Sequence, residues 1–171
     1  MKLILLGYMG CGKSAISRGL SKELLLKNID LDDYIEEKEQ KSISEIFETK
    51  GEIYFRKIET NYLKELLDSK EHFILSLGGG TPCFGKNMNL INQKGVPVYL
   101  SANVSTLVKR LLPEKTKRPL IARVPDDGLT EFIGKHLFER NQFYSQAATK
   151  VTVDSKSVFE IVKEIATIFT T

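Results

Sequence analysis

Gly7-Tyr-Met-Gly-Cys-Gly12-Lys13-Ser14 follows directly on the apolar run Leu3-Ile-Leu-Leu6, and its residue types suit one task, the holding of a phosphate. Glycines at this spacing open the backbone so that the N–H groups of Gly10, Cys11, Gly12, Lys13, Ser14 and Ala15 can turn toward one anion at the start of a helix. The Lys13 ammonium can then reach β and γ phosphates, and the Ser14 hydroxyl can ligate Mg²⁺. The same letters admit a second reading, because Gly10-x-Gly12-x-x-Ala15 satisfies a dinucleotide fingerprint with Asp30 at about the expected 20 residues on. Gly7, not Gly10, stands where that fingerprint needs its first glycine. The chain also lacks room for the catalytic domain of a typical dehydrogenase, so the phosphate loop is the preferred reading.

A phosphate loop names a nucleotide but no reaction. Four further constellations could name the acceptor. Asp30-Leu-Asp32-Asp33 follows a strand-like run. In extended chain Asp30 and Asp32 point the same way, one to hold the water shell of Mg²⁺ and the other to take a hydroxyl proton, while Asp33 suits the start of a helix. The plain alternative is a solvated N-cap cluster. In Gly51-Glu-Ile-Tyr-Phe-Arg56-Lys-Ile-Glu59 the three-residue spacing puts Glu59 beside Arg56 on a helix, either as an ordinary surface ion pair or to orient Arg56 as a fork for a carboxylate.

Leu77-Gly78-Gly79-Gly80-Thr-Pro holds more glycine than a turn needs, which lets a ligand approach the backbone; a strand-to-helix turn is the alternative. Arg118-Pro-Leu lies in a proline-bearing stretch and Glu139-Arg140 on a later helix. An arginine on a mobile loop can fold over a triphosphate and neutralise charge, although singly either is only a surface arginine.

The elements that would position these groups follow from periodicity. Strand-like runs at 2–6, 27–30, 73–77, 96–100 and 150–154 alternate with helical segments, the pattern of a parallel α/β sheet. Ser42-Ile-Ser-Glu45 reads as a capping box that opens a helical insertion, and Gly51 divides it. Pro113 to Gly128, with three prolines and two aspartates, reads as a long loop of the kind that forms lids. Val158, Ile161, Val162, Ile165 and Phe169 recur at helical spacing, and the helix they define is expected on the sheet edge.

At 171 residues one domain is expected, and a formal charge of +3 spread along the chain announces neither nucleic acid nor a membrane surface. Cys11 and Cys83 suit neither a disulfide framework nor a metal spacing. They read as small packing residues in a reducing, cytoplasmic compartment. His72 and His136 read as structural or surface residues. No targeting segment or membrane span is expected.

In order and across nearly the whole chain, GYMGCGKS, Asp30-x-Asp32, GEIYFRKIE, SLGGGTP, KRPL and LFERNQFY resemble the shikimate kinase family. Gluconate kinases share the phosphate loop and the size, but would not be expected to carry the GExxFRxxE and GGG pair. The resemblance implies a three-layer P-loop kinase fold, with a five-stranded parallel sheet in the order 2-3-1-4-5. It implies a substrate-binding insertion at about 31–62 and a lid at about 111–127. It also implies phosphorylation of the 3-hydroxyl of shikimate by ATP with Mg²⁺, on the way to chorismate and the aromatic amino acids, by a monomer whose partners are small molecules.

Carried over by position, the resemblance makes Lys13, Asp32 and Arg118 the catalytic set, with Asp32 the base. Ser14 holds Mg²⁺, and Asp30 holds it through water. Arg56 and Arg140 take the shikimate carboxylate with Glu59 behind them, Gly78, Gly79 and Gly80 approach the ring hydroxyls, and Arg110 lies on the adenine side. Ala15 departs from the pattern, standing where many members have a second hydroxyl.

Overall fold

The computed structural model describes residues 1–170. Strands β1 (Lys2–Leu6), β2 (Lys27–Asp30), β3 (Phe73–Ser76), β4 (Val96–Ser101) and β5 (Thr149–Thr152) form one sheet in the order β2-β3-β1-β4-β5, with every pairing parallel. Leu3, Ile4, Leu5 and Leu6 are all fully buried, as consecutive side chains on a strand can be only when both faces of the sheet are covered. The polar strands Lys-Asn-Ile-Asp and Thr-Lys-Val-Thr take the edges, each burying only its central aliphatic residue, Ile29 or Val151. β2 and β3 lie on one side of β1, and β4 and β5 on the other. Such a reversal of direction opens a crevice at the carboxyl ends of the strands.

Helices α1 (Lys13–Leu24), α2 (Leu31–Glu39), α3 (Ile43–Asp68), α4 (Asn87–Lys94), α5 (Val104–Leu111), α6 (Leu129–Tyr144) and α7 (Val158–Thr170) fill the connections. Ser42 and Glu45 form the reciprocal capping box at the start of α3, and Gly51, at φ 84 and ψ 172, breaks the helix into two pieces. Across that kink the rings of Phe47 and Phe55 meet at 4.6 Å. The tyrosine hydroxyls of Tyr34 and Tyr62 donate to Glu65 (2.8 Å) and Glu39 (2.6 Å), tying α2 to α3.

The final helix departs from expectation. α7 packs against α1, so closely that a Cβ on Gly19 would lie 2.6 Å from Val162 Cγ2. Its apolar stripe was legible, but the partner was not, because β5 is short and α1 already offers a glycine-sized groove. The stretch between α5 and α6 also holds more order than a loop, with 3-10 turns at Leu112–Lys117 and Asp126–Gly128. Its own Ile121 is buried, and Lys115 ties it together by donating to the Val124 carbonyl (2.7 Å) and pairing with Asp126.

Candidate active site

β1 ends at Leu6 and α1 opens at Lys13, with Gly12 as its N-cap in the left-handed region at φ 98. Gly10 therefore stands in the middle of a wide loop, not at the strand end where a dinucleotide turn needs it. The Ala15 and Ile16 amides already bond to the Gly12 carbonyl. Those of Gly12, Lys13 and Ser14 belong to the part of a helix start that has no intrahelical acceptor, which is where an anion binds. Lys13 Nζ donates to the carbonyls of Gly7 (2.7 Å) and Tyr8 (3.1 Å), and the Cys11 amide to that of Tyr8 at 3.3 Å. Two of the three N–H donors of Lys13 are thus engaged by the loop's own carbonyls.

The two carboxylates meet by a different route from the one expected. Asp30 is the N-cap of α2, and its Oδ1 accepts from the Asp32 amide at 3.0 Å. Asp32 thus stands in the first helical turn, not in extended chain, because the cap starts the helix at Leu31, earlier than Asp33. Burial pushes both carboxyls up. For Asp32, burial is the leading cause; Asp30 and Glu59 reinforce it, Lys13 opposes it, and the group reaches about 6. A carboxylate in that range is suited to taking a proton near neutral pH.

Arg56 and Glu59 form their predicted pair on α3, Arg56 Nη1 donating to Glu59 Oε2 at 2.8 Å. The carboxylate is 1 % exposed, so this is no surface ion pair. Its other oxygen, Oε1, accepts from the Thr81 hydroxyl at 2.6 Å. The glycine run lies against this pair and against Arg140 of α6. A Cβ on Gly80 would stand 2.6 Å from Arg56 Nη2, and one on Gly79 would stand 2.9 Å from Arg140 Nη1. Glycine is required here for close approach, since Gly80 has an ordinary φ of −87. A Cβ on Gly78 would lie 3.2 Å from Thr81 Oγ1 and 3.4 Å from Asp32 Oδ1.

One cleft of about 730 Å³ runs along this wall, bordered by Lys13, Ser14, Asp30, Asp32, Gly78 and Gly79. Arg110 and Arg118 also line it. Arg110 Nη1 donates to the Gly10 carbonyl at 3.2 Å. Arg118 is half-buried, its backbone bonded within the segment and its guanidinium paired with Glu114 at 3.4 Å. Arg56, Gly80 and Arg140 are not among the residues that border the cleft; they adjoin it through the glycine run.

Sequence reasoning missed several participants. Arg18 and Lys109 add two cations to the cleft. Tyr144, fully buried on α6, donates its hydroxyl to the Gly79 carbonyl at 2.6 Å. Tyr8 hydrogen-bonds His136 Nδ1 at 2.8 Å and lies under the Arg140 guanidinium, 5.8 Å from its ring centroid. Tyr8 lies within GYMGCGKS and Tyr144 within LFERNQFY, yet nothing local told them from ordinary core aromatics. Cys83 is half-buried with its thiol near the Gly79 carbonyl (3.8 Å), and burial pushes it up. Cys11 is buried, and both cysteines are free. Among the described residues no helix is long and apolar enough to cross a membrane.

The family model described as shikimate kinase matches residues 9–169 of this chain. The shikimate kinase of Flavobacterium johnsoniae is 50% identical over 165 residues, 96% of each chain. The crystal structure of shikimate kinase from Bacteroides thetaiotaomicron superposes with a TM-score of 0.90 at 34% identity, covering 99% of this chain and 98% of that one. The shikimate kinase of Acinetobacter baumannii, solved in complex with shikimate, superposes at 0.86 with 30% identity, covering 98% and 92%.

Proposed function

The chain belongs to the shikimate kinase family, and from that premise we propose that it transfers the γ-phosphoryl group of ATP to the 3-hydroxyl of shikimate, giving shikimate 3-phosphate and ADP. The observation that carries this reading is the glycine run. Gly78 and Gly79 border the phosphate cleft, while Gly79 and Gly80 abut Arg140 and Arg56, so donor and acceptor subsites share one wall.

The loop amides and Lys13 hold the β and γ phosphates. Arg56 and Arg140 take the shikimate carboxylate, a task for which a planar guanidinium is suited. That anchors the ring so that its 3-hydroxyl faces Asp32. Asp32 accepts the hydroxyl proton as the oxygen attacks the γ-phosphorus and the bond to the ADP oxygen breaks. Arg118 folds in from the 111–127 segment, which acts as a lid over the triphosphate, and Arg110 lies beside the loop on the adenine side. Because phosphoryl transfer goes through a loose transition state, positioning and charge neutralisation supply most of the rate.

The donor set fits Mg²⁺. The Ser14 hydroxyl and the Asp30 carboxylate are hard oxygen donors. Beside Asp30 in the β2–β3 register lies Ser76, whose buried hydroxyl has no hydrogen-bond partner among the described residues. Ser14 would hold the ion directly and Asp30 through water, and the bound ion would neutralise phosphate charge.

The test is ADP release, measured with shikimate, with gluconate and with no acceptor, for wild type and Arg56→Ala. Release that depends on shikimate and is lost in Arg56→Ala is expected. Equal release with gluconate, or none with shikimate, overturns the reading.

A further inference from the structure

Glu59 fixes Arg56, and a closed ring of hydrogen bonds fixes Glu59. The Thr81 hydroxyl donates to Glu59 Oε1 at 2.6 Å. The Thr81 carbonyl accepts from Asn87 Nδ2 at 2.9 Å. Asn87 Oδ1 accepts from the Thr60 hydroxyl at 3.0 Å, and Thr60 is the neighbour of Glu59 on α3. Glu59, Thr81 and Asn87 are each 1 % exposed or less. In such a place a polar side chain without its partner costs more than its bond contributes, so the four groups hold one another in a single arrangement.

The ring also sets the glycine run. The Thr81 amide closes the turn by donating to the Gly78 carbonyl at 3.1 Å, and its hydroxyl would lie 3.2 Å from a Cβ on Gly78. One residue therefore binds the carboxylate that aims Arg56 and ends the turn that presents Gly78, Gly79 and Gly80. Packing α3 on α4 needs no buried carboxylate and no buried amide. A ring this polar, placed behind one guanidinium, has a purpose beyond packing.

We propose that Thr81, Asn87 and Thr60 are positioning residues for the acceptor carboxylate, acting through Glu59 to hold Arg56 at its fork geometry. The inference rests on the reading of Arg56 as the carboxylate ligand of shikimate. Thr81→Val keeps the side-chain volume but leaves Glu59 Oε1 unpaired. Arg56 then loses its fixed partner, and the acceptor, not ATP, feels it.

The test compares wild type, Thr81→Val and Thr81→Ser in steady-state kinetics, with shikimate and with its carboxamide, in which the carboxylate is neutral. Expected for Thr81→Val is a KM for shikimate raised about tenfold, the scale of one hydrogen bond to a charged group, with the KM for ATP within about twofold and Thr81→Ser close to wild type. With the carboxamide the two enzymes should differ little. An equal effect on both acceptors, an equal rise in the KM for ATP, or no rescue by serine overturns the proposal and leaves the ring a packing device.

Should Thr81→Val fail to fold, Thr60→Val frees the Asn87 amide more gently and is expected to raise the KM for shikimate about threefold; an unchanged KM overturns the proposal as well. If wild type itself releases no ADP with shikimate, the reading of the site has failed, and that result is distinct from an active wild type whose variants show no acceptor effect.

Discussion

The Tyr8 hydroxyl and His136 Nδ1 stand 2.8 Å apart, with their rings edge to face at 5.3 Å between centroids. The phosphate loop is thereby joined to α6, the helix that carries Arg140, and the same Tyr8 ring lies beneath the Arg140 guanidinium. Burial and the Arg140 charge push His136 down, which favours the neutral imidazole as acceptor for the phenol.

Separating those two contacts gives the first prediction. Tyr8→Phe loses the hydrogen bond but keeps the ring face, and should cost about 1 kcal/mol of stability with little change in the KM for shikimate. Tyr8→Leu removes the face as well and should raise that KM severalfold, in line with a cation–π contact of about 1 kcal/mol. Denaturant melts and acceptor titrations read both; equal acceptor KM values in the two variants would remove Tyr8 from the support of Arg140.

Gly80→Ala is sterically selective. The backbone at φ −87 tolerates alanine, but the new Cβ would fall 2.6 Å from Arg56 Nη2. The guanidinium, being the end of a flexible side chain, should move while the fold stays. A KM for shikimate raised on the order of tenfold, as one misplaced charged hydrogen bond predicts, is expected beside a near-native melting midpoint. An unaltered KM would show that Arg56 does not meet the acceptor.

Asp32 carries a cost in stability that its proposed role explains. Its carboxyl rises from the ordinary 3.8 to about 6 in the folded protein, so the folded state prefers it protonated. Its favourable share of stability is complete below the unfolded value and is lost as pH rises through about 6. Asp32→Asn should therefore stabilise the protein at pH 7.5 by about 1–3 kcal/mol, with the gain vanishing near pH 4. Phosphoryl transfer should fall while ATP binding stays. Unfolding curves at the two pH values, with ATP titrations alongside, check this; normal turnover in the variant would end the assignment of Asp32 as base.

The same carboxyl sets the acid limb of activity. For a base that must be ionised, kcat/KM should drop as pH falls through about 6. Because the Glu59 charge helps to raise Asp32, Glu59→Gln should move that limb to lower pH, apart from any loss of acceptor binding. A limb that stays in place would show that another group controls it.

Arg118 borders the cleft with its side chain part-exposed and a long 3.4 Å pair to Glu114. Arg118→Ala should lower kcat on the order of 10³-fold, the range for an arginine that stabilises transferring phosphate. The KM for shikimate should change little. Single-turnover kinetics would separate this from slow product release, and an unchanged chemical step would place Arg118 outside the reaction.

Much of this protein is written in local spacing. The unbroken apolar run before Gly7 gave away a central strand, since only a strand covered on both faces buries consecutive side chains. Ser42 and Glu45 marked a helix start, and Gly51 its break, because caps and left-handed residues act within a few positions. Arg56 with Glu59 was equally legible as a pair, but its burial was not. Whether an i, i+3 ion pair is a surface ornament or a fixed fork depends on what covers it, here the turn carrying Thr81.

Tertiary structure alone decided the rest. It turned Asp30 into a cap that lifts Asp32 into the first turn of α2, and it sent α7 to α1. It also closed Thr60, Asn87, Thr81 and Glu59 into a ring and brought Tyr8 to His136 across 128 residues. Sequence by itself determined which segments coil, which extend and which residues could do chemistry, since those follow from forces acting over one or two turns. Which groups face one another, and how dry the space between them is, follows from packing the whole sheet with its helices, and no short stretch encodes that.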